Sequence, residues 1–431
     1  MTDLASKLTD RAIRSTGAPP SRRAGVTRWL PVAVPLAVLV LLVFLPWMQF
    51  SIPGVLPGVV NSPGSMQLLA LCLVTAGIAL SYDVLFGRTG LLSFGHALFV
   101  GAGAYSAAIA LGRWGLSLPV AVLVVLAFAV ALPLVVGAIA LRVKGIAFAM
   151  VTLAFAQAVA ITAARNPGGL TGGAEGLSLN RSALPAVLSG VVNAPYRYWL
   201  ALAFLVVCVV VVWWLTAART GHAWAAVREN EDRVEVLGMS AYRTKLTAVV
   251  VAGFLGTLGG FVQLIIIGGA NPHLLSTELT LSLLIMVVLG GAGSRWGAVL
   301  GGVVYVLLDN RLQELSTSAA VADLPAFLRI PLSQPVFVLG LLFVLVVYFA
   351  PGGLTAIGGR VRGWVAGRSR EPVRGAEEPT SAVTTGPDAV AAGSPAAHPA
   401  GGSGSGGSGA WTASTATGEG PSDHGGPRPD G

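Results

Sequence analysis

Long apolar runs alternate with short polar breaks along most of the chain, and ten of them approach the ~20 residues that cross a bilayer. They lie near 29–50, 66–86, 90–112, 116–141, 145–164, 198–217, 246–270, 278–292, 296–312 and 334–350, the eighth and ninth being short and broken by glycine. One stretch interrupts the rhythm. Residues 218–245, ARTGHAWAAVRENEDRVEVLGMSAYRTK, carry Arg219, Arg228, Glu229, Glu231, Asp232, Arg233, Glu235, Arg243 and Lys245 between two apolar runs. Within it Ala223, Val227, Val234 and Leu237 recur at helical spacing and Gly238 follows. That pattern predicts a short amphipathic helix with a glycine stop, outside the bilayer and able to dock against a soluble partner. The same charges also suit a solvated loop that only sets topology.

Composition sharpens the membrane reading. The chain is 54% hydrophobic and 11% charged, far below the ~25% charged of soluble domains. The expected class is an all-α polytopic membrane protein with about ten transmembrane helices. Its formal charge of +8 would suit nucleic acid in a soluble protein, but the placement of the cations decides against that. With an inside N-terminus, only Arg113, Arg165, Arg181, Arg197, Arg311 and Arg329 fall outside, leaving 21 of the 27 Lys and Arg inside. Both termini and the charged island are therefore expected on the cytoplasmic side.

The first run follows a basic leader, but it is too long for a secretory signal and lacks a small-residue cleavage site, so a retained helix is expected. Cys72 and Cys208 fall inside runs and read as buried small side chains. Residues 1–28 and the tail 358–431, with GGSGSGGSG at 401–409, cannot bury enough apolar surface to offset their ordering entropy and are expected to be disordered in the cytoplasm. Between them, 29–357 forms one membrane domain with outer loops at Arg165–Arg197 and about Arg311–Ser333.

Glycines inside the runs keep a four-residue spacing at Gly256 and Gly260 and at Gly293, Gly297 and Gly301, which lets helix backbones approach closely. Broken helices lining a path are the alternative. Segments 90–105 and 290–305 share small residues and end on Tyr105 and Tyr305, a weak internal repeat.

Chemistry is sparse. No G-x-x-x-x-G-K-[ST] phosphate loop occurs, and none of the three lysines follows a glycine, so ATP hydrolysis by this chain is not expected. Neither a metal-ligand cluster nor a nucleophile with a base emerges from the spacing, and no enzymatic role is expected. Ser93, His96 and Tyr105 stand in a small-residue run, where polar groups usually face a bundle interior or a wet cavity. Each is open between lining a path and bonding a neighbouring helix, as is Gln157. Asp83 and Arg88 suggest an ion pair at the interface.

Six ordered blocks carry a resemblance: GRTGLLSFGHALFVGAGAY at 87–105, LRVKGIAFAMVTLAFAQ at 141–157, LTGGAEGLS at 170–178, RENEDRVEVLGMSAYRTKLTA at 228–248, VVLGGAGSRWGAVLG at 287–301 and FAPGGL at 349–354. Over roughly 66–357 the chain resembles permease subunits of high-affinity branched-chain amino-acid ABC importers. The resemblance implies a bacterial cytoplasmic-membrane location, a related permease partner, two ATPase subunits that use the ATP, and an extracytoplasmic solute-binding protein. It places Arg228, Glu229, Asn230, Glu231, Leu237 and Gly238 where such permeases meet the ATPase. Permeases for urea, short amides or aromatic acids look alike at this level, and the low-complexity tail departs from the family pattern. A secondary transporter or channel is the competing class; it calls for intramembrane carboxylates, which the runs nearly lack.

Overall fold

A computed structural model describes residues 35–51, 56–179, 184–317, 334–349 and 352–356. Residues 1–28 and the tail 358–431 lie outside the described residues, as do 318–333 of the second outer loop. The helices are α1 (Pro35–Trp47), α2 (Pro63–Asp83), α3 (His96–Ala108), α4 (Leu118–Ala140), α5 (Ile146–Arg165), α6 (Ala194–Ala217), α7 (Arg219–Glu229), α8 (Glu231–Val236), α9 (Ala241–Ile267), α10 (Thr277–Gly290), α11 (Gly297–Ser316) and α12 (Pro335–Phe349). A two-residue antiparallel ladder, Leu177–Ser178 (β1) with Gly269–Ala270 (β2), is a small departure from an all-helical class.

Each of the ten apolar runs carries a helix, but among the described residues only six are long and apolar enough to cross a membrane: α2, α4, α5, α6, α9 and the run from Pro335. The expected count of about ten is thus not confirmed among the described residues. Glycine is one cause. After α2 ends in a π-helical turn, Val84–Arg88, Gly90 takes φ +72° and the chain stays non-helical to Gly95, which shortens α3. Gly291, at φ +111°, ends α10 early. Length is not the limit for α11, which runs on to Ser316 through Asp309, Asn310, Arg311, Gln313 and Glu314. The outer loop expected from Arg311 therefore begins later.

The most buried span, α2, sits at the centre against α6, α9 and α11, while α9 also packs on α3 and α4. Apolar side chains alone cannot drive this association in lipid, so close backbone approach has to supply it. A methyl group at Gly260 would run into the Val100 carbonyl, and one at Gly103 into that of Thr257. On the same seam, one at Gly256 would stand 3.1 Å from His96 Nε2. Gly297 abuts the Gly291 carbonyl and Gly301 that of Met286, closing the α10–α11 hairpin. By contrast α4 turns Leu123, Phe128, Leu134 and Val135 outward, an apolar exposed face.

Candidate functional site

The charged island forms two helices rather than one. Asn230, extended at φ −161°, interrupts the helix, and its Oδ1 accepts from Arg233 N at 2.9 Å to cap α8. Glu231 and Asp232 fill the first turn, where negative charge suits the helix dipole. The far end closes as a Schellman turn: Met239 N donates to Val234 O at 3.2 Å and Gly238 N to Glu235 O at 2.9 Å, with Gly238 at φ +81°. The inward face is Trp224, Val227 and Val234, all buried, whereas Leu237, expected on that stripe, is 71% exposed. The Asn230 break rotates the second half of the pattern and turns Leu237 out beside Val236, itself 87% exposed.

This elbow is tied to the bundle on three sides. Trp224 Nε1 donates to Thr244 O and Thr247 Oγ1, both at 3.2 Å, seating α7 on α9. Lys245 Nζ donates to Glu231 Oε2, and Lys144 Nζ stands 3.5 Å from Oε1, joining α8 to α9 and to the start of α5. Burial would raise the Glu231 pKa, but the Lys245 hydrogen bond and charge, with Lys144, outweigh it and hold the carboxyl below its ordinary range. Third, Arg228 Nη1 donates to the Gly87 carbonyl.

Behind Arg228 lies a buried knot. Asp83, fully enclosed, accepts from Gly293 N at 2.7 Å through Oδ1, and its Oδ2 lies 3.3 Å from Arg88 Nε. The end of α2, the α10–α11 turn and α7 therefore meet at one point. A cavity of about 450 Å³ opens beside it, lined by Arg88, Thr216, His222, Arg228, Glu229 and Gly293 among others. Glu229, Asn230, Asp232, Arg233 and Glu235 are exposed, as are the apolar Val236 and Leu237. A seated helix pair that exposes both charged and apolar side chains is a surface able to bind a soluble partner and take up a rigid-body displacement.

The coupling candidates divide by what they hold: Arg228, exposed along its length, bonds Gly87 through its tip, and half-buried Glu231 pairs with Lys245 and Lys144, while Glu229, Leu237 and Gly238 are exposed and Asn230, also exposed, caps α8. The path candidates do not converge. Ser93 is buried, its Oγ accepting from Gly95 N at 3.3 Å. His96 is enclosed between Tyr82 and Phe99 with Nε2 2.9 Å from Ser81 Oγ, and Tyr105 is 6% exposed. Gln157 stands apart on the exposed side of α5, donating to Thr277 Oγ1. Sequence reasoning missed the Gly293 partner of Asp83, the Trp224 anchor and the Lys144 tether. Asn-Glu-Asp at 230–232 was the readable sign of a helix break.

The family model described as branched-chain amino acid transport system / permease component matches residues 65–347. The chain is 29% identical to the high-affinity branched-chain amino acid transport system permease protein LivM of Salmonella typhimurium, over 68% of this chain and 70% of that one. It is 28% identical to the protein of the same name from Escherichia coli over the same shares. A probable branched-chain amino acid transport permease protein LivM of Methanocaldococcus jannaschii is 26% identical over 67% of this chain and 94% of that one. No solved structure matches. With the match spanning five of the six motif blocks whole and nearly all the described helices, the chain belongs to the permease-component family of branched-chain amino acid transport systems.

Proposed function

We propose that this chain is the membrane-spanning permease subunit of an ATP-driven importer of branched-chain amino acids, and that its α7–α8 elbow docks on a separate ATPase. The observation that carries the reading is the elbow itself. Trp224, Arg228 and Glu231 seat it firmly on the bundle, while Val236 and Leu237 are left uncovered. A solvated loop that only set topology would need neither the anchors nor the apolar tip. In this reading the elbow end is cytoplasmic, as are both termini, in the bacterial cytoplasmic membrane. The chain pairs with a related permease, two ATPase subunits and an extracytoplasmic solute-binding protein. The names of its relatives support leucine, isoleucine and valine as substrates, with urea, short amides or aromatic acids as the alternatives.

The test is reconstitution in proteoliposomes of this chain with its sister permease, ATPase and binding protein. Labelled leucine should accumulate only in the complete system with ATP. Concentrative uptake by this chain alone would overturn the ATP-driven reading, and uptake of urea in place of leucine would overturn the substrate.

A further inference from the structure

Polar groups on an exposed helix face at bilayer mid-depth have no partner in lipid, so their solvent identifies what covers the face. Three helices of this chain have one end at a common reference level, α5 and α11 their starts and α10 its finish. The α10–α11 turn is joined through Gly293 to the Asp83 knot, and the start of α5 is joined through Lys144 to Glu231 of the elbow. Measured from there at ~1.5 Å per residue, Ser282 and Tyr305 stand about 12 Å, Gln157 about 16 Å, and Glu278 and Asp309 about 18 Å into the bundle. The middle of a ~30 Å hydrocarbon core is about 15 Å deep. All five residues therefore lie near the bilayer midplane.

They also form one line. Gln157 donates to Thr277 Oγ1 across α5 and α10, and Tyr305 OH donates to Ser282 Oγ at 3.0 Å across α10 and α11. Glu278 stands one turn from Ser282, and Asp309 one turn from Tyr305, where it accepts from Gln313 Nε2 at 2.8 Å. None of this line is enclosed by the chain: Gln157 is exposed, the Glu278 side chain is 56% exposed, and Asp309 is half-buried. His273 Nε2 stands 3.5 Å from Glu278 Oε2, and the His273 side chain too is largely exposed. Glu278 and Asp309 are thus the few carboxylates of these runs that stand on this face. On α4 the exposed positions are apolar over a comparable length, as a lipid-facing surface requires.

We propose that the α5–α10–α11 face, through Gln157, Glu278, Ser282, Tyr305 and Asp309, is this chain's wall of a hydrated translocation path whose other wall is the second permease chain. The proposal rests on the transport reading above. It moves the path away from Ser93, His96 and Tyr105, which lie inside the chain's own packing.

The test uses cysteine accessibility in the complete complex in membranes. A membrane-impermeant methanethiosulfonate reacts with a thiolate, which forms in water and not in hydrocarbon. The native Cys72 and Cys208 are buried and give little background. Ser282→Cys and Gln157→Cys should react at least about tenfold faster than Leu123→Cys on α4, and added leucine should slow them. Gln157→Cys lies on the exposed surface, so it reports even where Ser282→Cys fails to fold. Reaction no faster than at Leu123→Cys would overturn the proposal. Labelling needs no ATP, so fast labelling in a system that takes up substrate without ATP would sink the ATP-driven reading and leave the path intact. ATP-driven uptake with silent cysteines would do the reverse.

Discussion

The seam between α3 and α9 and the elbow of α7 and α8 are held by opposite means. In the seam, glycines set the distance: Gly103 and Gly260 let backbone carbonyls of the facing helix come to where a Cβ would stand. In the elbow, long side chains reach across to the bundle: Trp224 bonds Thr244 and Thr247 of α9, Glu231 pairs with Lys245 of α9 and with Lys144, and Arg228 bonds Gly87. Lipid explains the first arrangement, because apolar side chains gain nothing there by leaving their solvent, and contact has to come from close packing. Water explains the second, since anchors there can be polar and a tip can remain free. Substitutions should therefore fail in different ways: all-or-none in the seam, graded in the elbow.

Gly260→Leu should have the largest effect. Its side chain meets the Val100 backbone, which cannot move aside as a side chain could, so the cost should exceed the ~1–3 kcal/mol usual for overpacking. The expected outcome is loss of folded protein, read as yield and monodispersity after extraction. Normal yield would break the contrast.

Asp83→Ala comes next, at the point where the elbow meets the end of α2 and the α10–α11 turn. It leaves Arg88 without its buried partner and Gly293 N–H without an acceptor, at a cost of roughly 3–5 kcal/mol. Thermal stability in detergent should fall clearly, and Asp83→Asn, which keeps an acceptor for Gly293, should fall less. Equal losses would show that the backbone hydrogen bond contributes little.

Within the elbow, Val234→Pro removes the Val234 N–H to Asn230 O bond of α8, at about 3 kcal/mol locally. Proteolysis near 230–240 should rise while the bundle stays folded. Protection equal to wild type would show that α8 is not an independent unit.

Glu231→Ala should be milder, because Glu231 keeps 22% exposure where Asp83 has none, and Lys144, 64% exposed, adds only roughly 0–1 kcal/mol to the Lys245 pair. The wild-type pair carries a sign that can be tested. The folded-state pKa of Glu231 lies below its ordinary carboxylate value. Its contribution is therefore present above the ordinary value and is lost as pH falls through the lowered one. Wild type and Glu231→Ala should differ in elbow protection near neutral pH and converge in acid; a gap that widened in acid would contradict this assignment.

The same contrast explains what could be read from the chain alone. Helix positions were legible because lipid forces long apolar runs, and the small-residue spacing at Gly256 and Gly260 was legible because packing in lipid needs it. How far each run stays helical was not, since hydropathy does not register that Gly90–Gly95 stays unwound and shortens α3. The elbow was legible as a charged island with a glycine end. Its split was missed because a 3.6-residue pattern continues across Asn230, and only the cap chemistry of Asn230 with Arg233 N–H breaks it. Gln157 was separable from His96 only in three dimensions, because both are single polar residues in apolar runs, one facing out of the bundle and one facing in.

The central claim, that the elbow tip receives an ATPase, is tested most directly by binding. Val236→Ser with Leu237→Ser alters two side chains that are 87% and 71% exposed, so the chain's own stability should change by less than about 0.5 kcal/mol. In nanodiscs, ATPase association with this double variant should weaken at least about tenfold, since uncovered apolar groups at the centre of a contact carry most of its energy. Equal ATPase affinity for the variant and the wild-type permease would contradict the account.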